Sequence, residues 1–173
     1  MRELSGELTA GKRETGSGKR GPADPARLFE GAEPLVARLQ AEAPFISDRA
    51  MLDRAREILA GLHEAERIAV INAHPRIGER PERVRAQSSQ AFKEQGYDRD
   101  HTPPEVLLRL ARLNEEYEQK FGFRFVVFVN RRSKEALVPV LEARLRRSRE
   151  QELATALADI VAIAEDRLEQ TGC

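Results

Sequence analysis

Cysteine is all but missing from this chain: of 173 residues the only one is Cys173, the last. No intrachain disulfide can form and no thiolate cluster can hold a metal, so a reducing cytoplasm is the expected compartment. Net charge is missing too, because 29 Lys and Arg balance 29 Asp and Glu. Without an overall positive field to gather phosphate backbones, nucleic acid is not an expected partner. No apolar run approaches the roughly 20 residues a membrane span needs, so no membrane partner is expected. Residues 1–24 lack the apolar segment of a secretory signal, and Gln170-Thr171-Gly172-Cys173 is not a Ser-Lys-Leu address. The three histidines, His63, His74 and His101, include no pair at the close helical spacing of a zinc motif.

What is present suffices for one domain, since 40% apolar content over this length fills one core but hardly two. Residues 1–24, rich in Gly, Lys, Arg and Glu, read as a disordered leader, and residues 25–170 as the helical domain. From Pro25 the apolar residues recur at helical intervals. Leu28, Phe29, Ala32, Leu35, Val36 and Leu39 line one face, with Pro34 splitting it into two short helices. Ser47 is placed to cap a helix whose stripe is Met51, Ala55, Ile58, Leu59 and Leu62. A helix over 64–72 ends near His74, because Pro75 pushes its predecessor out of helical dihedrals.

Residues 76–88 read as a solvated loop, and Ser88 or Ser89 as the cap of a short helix through Gln95 that Gly96 ends. Thr102-Pro103 marks the next start, with Val106, Leu110, Leu113, Tyr117 and Phe121 on one face and Gly122 as the stop. Residues 123–129 are apolar enough for a buried strand. With no partner strand to satisfy the backbone, a buried extended connector or a helix suits the chain better. Ser133 opens a helix with Leu137, Leu141 and Leu145 inward and Pro139 as its weak point. Ser148 with Gln151 forms a capping box for the last helix, whose stripe is Leu153, Leu157, Ile160, Ala164 and Leu168.

Within that last stripe stands Arg167, and an inward guanidinium needs either a protein carboxylate or a ligand. His74 at a helix exit is either structural or an acid–base group. Glu94 in a short helix is by default solvated, as are His63 and His101 in polar links.

Taken together, Leu28-Phe29-Glu30, Ala73-His74-Pro75, Glu94-Gln95, the stretch from Leu113 to Phe123 and Arg167-Leu168 resemble the 2-oxo-4-hydroxy-4-carboxy-5-ureidoimidazoline (OHCU) decarboxylase family, which acts late in the conversion of urate to allantoin. The likeness runs from Leu28 to Leu168. It implies an all-α, single-domain multi-helix bundle, usually a homodimer, that needs neither metal nor organic cofactor and acts on OHCU. It also implies that His74 is the catalytic histidine, acting with Glu94 and Arg167, and that Pro75 shapes the pocket beside it. The segment Ala91, Phe92, Lys93, Glu94 and Gln95 would bind substrate, and Phe125, Val126, Val127, Phe128 and Val129 would form another wall. In this reading His74 protonates the ring as carbon dioxide leaves, Glu94 orients His74 or presses on the substrate carboxylate, and Arg167 grips an anionic or carbonyl group.

The chain departs from the family pattern at three places. Ala91 stands where a serine is common, Arg76 follows His-Pro where an acidic residue is usual, and Arg131-Arg132 replaces the usual Gly-Arg. Two other readings follow: a helical interaction module that has lost catalysis, or an enzyme of this fold acting on a related ureido acid.

Overall fold

The computed structural model describes residues 21–171; residues 1–20 of the expected leader lie outside them. Helices α1 (Pro25–Leu28) and α2 (Glu33–Glu42) divide the first periodic stretch. The break falls at Phe29–Ala32, and Pro34 sits in the first turn of α2, where its missing N–H costs nothing. Asp24 caps α1 through the Ala26 N–H. Helix α3 (Asp48–Gly61) is capped by Ser47, and its expected stripe is buried throughout. Helix α4 (Glu64–Asn72) delivers the chain to His74.

The expected solvated loop over 76–88 is a correction: residues Pro81–Gln87 form α5. Proline at the first helical position presets the dihedrals, and fully buried Val84 packs with Ala91, Phe92 and Tyr97 in a small second cluster. One apolar residue among charges carried too little periodicity to reveal it. Helix α6 (Ser89–Glu94) starts from Ser88, whose Oγ accepts from the Ala91 N–H at 2.9 Å. Helix α7 (Pro104–Phe121) begins one residue beyond the expected start, with Pro103 and not Thr102 at the cap, and Gly122 ends it in the left-handed conformation at φ 80°.

Helix α8 (Lys134–Arg144) continues through Pro139, which lies on its exposed face. Helix α9 (Arg149–Thr171) opens with the reciprocal Ser148–Gln151 bonds and packs against α1, α3, α4 and α7. It is the post of the bundle. The described residues contain no strand, and none of their helices is long and apolar enough to cross a membrane.

Residues 123–129 are the buried extended connector. Side chains take the place of a partner strand: Arg144 Nη1 donates to Val126 O at 2.8 Å, Arg132 Nη2 to Phe128 O at 2.6 Å, and Arg124 N–H to Asn72 Oδ1 at 2.9 Å. The connector's rings lock it to α7, with Tyr117 6.0 Å from Phe123 and 5.3 Å from Phe125 between centroids.

Candidate active site

Four chain segments meet around a cavity of about 300 Å³. The α4 exit supplies His74, Pro75 and Ile77; α6 and its end supply Ala91, Lys93, Glu94, Gln95 and Arg99. The connector supplies Phe125, Val126, Val127, Phe128 and Val129, with Asn130 and Arg131 beyond it. Ile163, Asp166 and Gln170 of α9 close the space. Of the residues expected from sequence, Phe92 and Arg167 do not line this cavity. Phe92 turns the other way, stacked on Tyr97 at 5.4 Å and covered by the Arg85 guanidinium.

Arg167 stands behind the carboxylate. Its Nε and Nη2 donate to the two oxygens of Glu94 at 2.6 and 3.1 Å, and Nη1 donates to Leu28 O at 2.8 Å. A guanidinium has five N–H groups, so two remain after these bonds. It lines a smaller hollow that shares His74 and Pro75 with the main cavity. The choice left open by the sequence, protein carboxylate or ligand, is thus filled first by a carboxylate, and that carboxylate is Glu94. The pair fixes Glu94 in direction and offsets its charge.

His74 is 9% exposed. Its Nδ1 lies 3.4 Å from Val70 O, an acceptor only, so in the neutral ring that nitrogen carries the proton and Nε2 keeps a lone pair. Burial first, and then the nearby Arg167 charge, push its pKa down to about 4. The imidazole is therefore neutral near pH 7. The segment after it is pinned: Arg124 Nη1 donates to His74 O, and Arg76 reaches both oxygens of Glu118 at 2.7 and 2.6 Å. The unusual Arg76 accordingly has its own countercharge on α7.

Gln95 clamps the same loop, its Oε1 accepting from the Gly78 N–H and its Nε2 donating to Arg76 O, each at 3.1 Å. Gly78 is needed there: φ is 76°, and a Cβ would stand 2.9 Å from Leu110 Cδ1. Buried Lys134 donates to Gln95 O and lies 3.7 Å from the Tyr97 ring centroid; burial lowers its pKa. Ser88 donates to Glu30 at 2.6 Å while capping α6, so its hydroxyl is committed, and Ala91 presents only a methyl to the cavity.

A buried network supports the connector from behind. Glu152, wholly buried, accepts from Tyr117 Oη and from Arg144 Nε, each at 2.6 Å, and Arg144 also meets Asp159 at 3.0 Å. Sequence reasoning missed Ile77, Arg99, Asn130, Ile163, Asp166, Gln170 and this network, and singled out Arg131 only as a departure from the family pattern. Ile163, Asp166 and Gln170 fall at helical spacing on one face of α9, a signal available only once that face was known to reach the site.

The OHCU decarboxylase family model matches residues 25–169. A Halalkalicoccus jeotgali protein named 2-oxo-4-hydroxy-4-carboxy-5-ureidoimidazoline decarboxylase is 31% identical over 143 residues, covering 83% of this chain and 80% of that one. A Haloferax volcanii protein of the same name is 27% identical over 141 residues, covering 82% of each. A crystal structure of OHCU decarboxylase in the presence of (S)-allantoin superposes with a TM-score of 0.67 at 23% identity, over 86% of this chain and 97% of that one. At that identity the likeness bears on the fold alone.

Proposed function

The chain belongs to the OHCU decarboxylase family, and from that premise we propose that it is a carbon–carbon lyase converting OHCU to (S)-allantoin in urate degradation. The observation that carries this reading is the meeting of His74, Glu94 and the 125–129 connector around one small cavity. A cavity of about 300 Å³ suits a single flat ring with its substituents.

The substrate holds its own electron sink. Its carboxyl-bearing carbon adjoins a ring carbon–nitrogen double bond, so the electron pair of the breaking C–C bond passes into the ring toward the imine nitrogen. A proton delivered to this system as carbon dioxide departs lowers the barrier. His74 is that donor. Neutral before substrate binds, it draws a proton as negative charge builds on the ring beside it, because an anion close by favours the imidazolium. Glu94, held by Arg167, fixes the substrate ring so that the proton reaches one face of the ureido-bearing carbon while the hydroxyl on the neighbouring carbon gives up its proton to become the carbonyl, and one enantiomer results. The apolar connector excludes water from the developing charge.

The homodimer and the cytoplasmic location expected from sequence belong to the same reading; light scattering at the mass of one chain would remove the former. The test of activity is direct. Purified protein should accelerate the decay of freshly made OHCU and yield optically active allantoin. Racemic product at the spontaneous rate would instead favour an interaction module, for which the methyl of Ala91 in the cavity wall speaks.

A further inference from the structure

Among the described residues, left-handed backbone is otherwise confined to glycine and one asparagine, yet Arg131 has φ 59°. Asparagine tolerates this region, as Asn130 does at φ 47°, whereas an arginine there sets its Cβ against the backbone. Glycine would make the same turn without strain. The turn itself does not use the Arg131 side chain. Arg132 does that work, its guanidinium donating to Val129 O and Phe128 O.

Arg131 lines the mouth of the cavity, and its exposed side chain has no hydrogen bond or ion pair to any described residue. The other charges of the lining are accounted for differently. Glu94 is paired with Arg167, Arg99 lies between Asp98 and Asp100 at 3.9 Å from each, and Asp166 accepts from Gln170. Lys93 adds a second cation on the α6 side. A strained residue with a free guanidinium at the entrance of a site for an anion has a ready explanation in that anion.

We propose that Arg131 is a specificity residue that captures the carboxylate of the substrate at the cavity mouth and thereby separates the anionic substrate from the uncharged product. This rests on the decarboxylase reading. The carboxylate is held until it leaves as carbon dioxide, after which allantoin offers the guanidinium no charge and is released. Holding the departing group in the ground state favours binding over rate, so the contact acts on KM more than on kcat.

The experiment compares wild type, Arg131→Gly and Arg131→Lys for KM on OHCU, for inhibition by allantoin and for thermal melting. Loss of a charge-assisted contact predicts a KM about tenfold higher in Arg131→Gly, partly restored in Arg131→Lys. Added salt should raise the wild-type KM more steeply than that of Arg131→Gly. Inhibition by neutral allantoin should stay within about twofold, and the glycine variant should melt no lower than wild type, because it relieves the left-handed strain. A substrate KM unchanged in Arg131→Gly, or a parallel loss of allantoin affinity, overturns the proposal and leaves the decarboxylase reading standing. Should wild type lack activity on OHCU, that reading fails, and calorimetry with allantoate against allantoin still decides whether Arg131 selects for charge: equal effects of Arg131→Gly on both ligands would refute it.

Discussion

A histidine buried to 9% exposure beside an arginine is a strange choice for a protein that needs only a core. Its folded pKa, about 4, is depressed from the ordinary 6.5, so the unfolded chain binds more protons between these values. His74 therefore contributes stability that is fully present above pH 6.5 and is lost as pH falls toward 4, by about 3 kcal/mol. His74→Gln should flatten the urea-unfolding stability curve across that window relative to wild type; parallel curves would mean that the imidazole is not neutral in the fold. The same residue should govern catalysis. His74→Ala is expected to lower turnover by about 10²- to 10⁴-fold with its helical circular dichroism intact, and near-wild-type turnover would remove it from the mechanism. Pro75 placed His74 at a helix exit and the α9 stripe placed Arg167 inward, but only the family resemblance joined them to Glu94 in one site. The direct pairing of Arg167 with Glu94 was not legible, because the two lie 73 residues apart and no local spacing announces it.

At the scale of the element, the connector 123–129 shows how a chain without a partner strand buries extended backbone. Its carbonyls are answered by arginines, and the chief of these, Arg144, is held by Glu152 in an interior from which water is excluded. Removing one member of such a set leaves an uncompensated buried charge. Glu152→Gln should therefore cost about 3 kcal/mol in urea unfolding and raise the KM for substrate as the cavity wall loosens. An unchanged unfolding midpoint would show that the network is dispensable. Helix capping was readable for Ser47, Ser133 and the Ser148–Gln151 box, and to within one residue for Ser88, because their side chains bond within three residues. Helix α5 was not, since its single buried residue, Val84, answers to Phe92 and Tyr97 and so to tertiary packing.

Across the whole molecule, one core organised on α9 brings the α4 exit, α6 and the connector to a common cavity while keeping Arg167 one layer behind it. Periodicity marked the separate helices and left 123–129 open as connector or helix, and the family resemblance implied the all-helical class. The layering did not follow, because depth behind a wall depends on rotamers and partners that a helical wheel does not contain. Arg167 thus emerges as the holder of Glu94 more than as a wall of the cavity.

The measurement closest to the heart of this account is a crystal structure of the protein soaked with (S)-allantoin. The ring is expected between His74, the 91–95 segment and the 125–129 connector, with Glu94 still bonded to Arg167. A ligand seated elsewhere on the bundle, with that cavity empty, would contradict it.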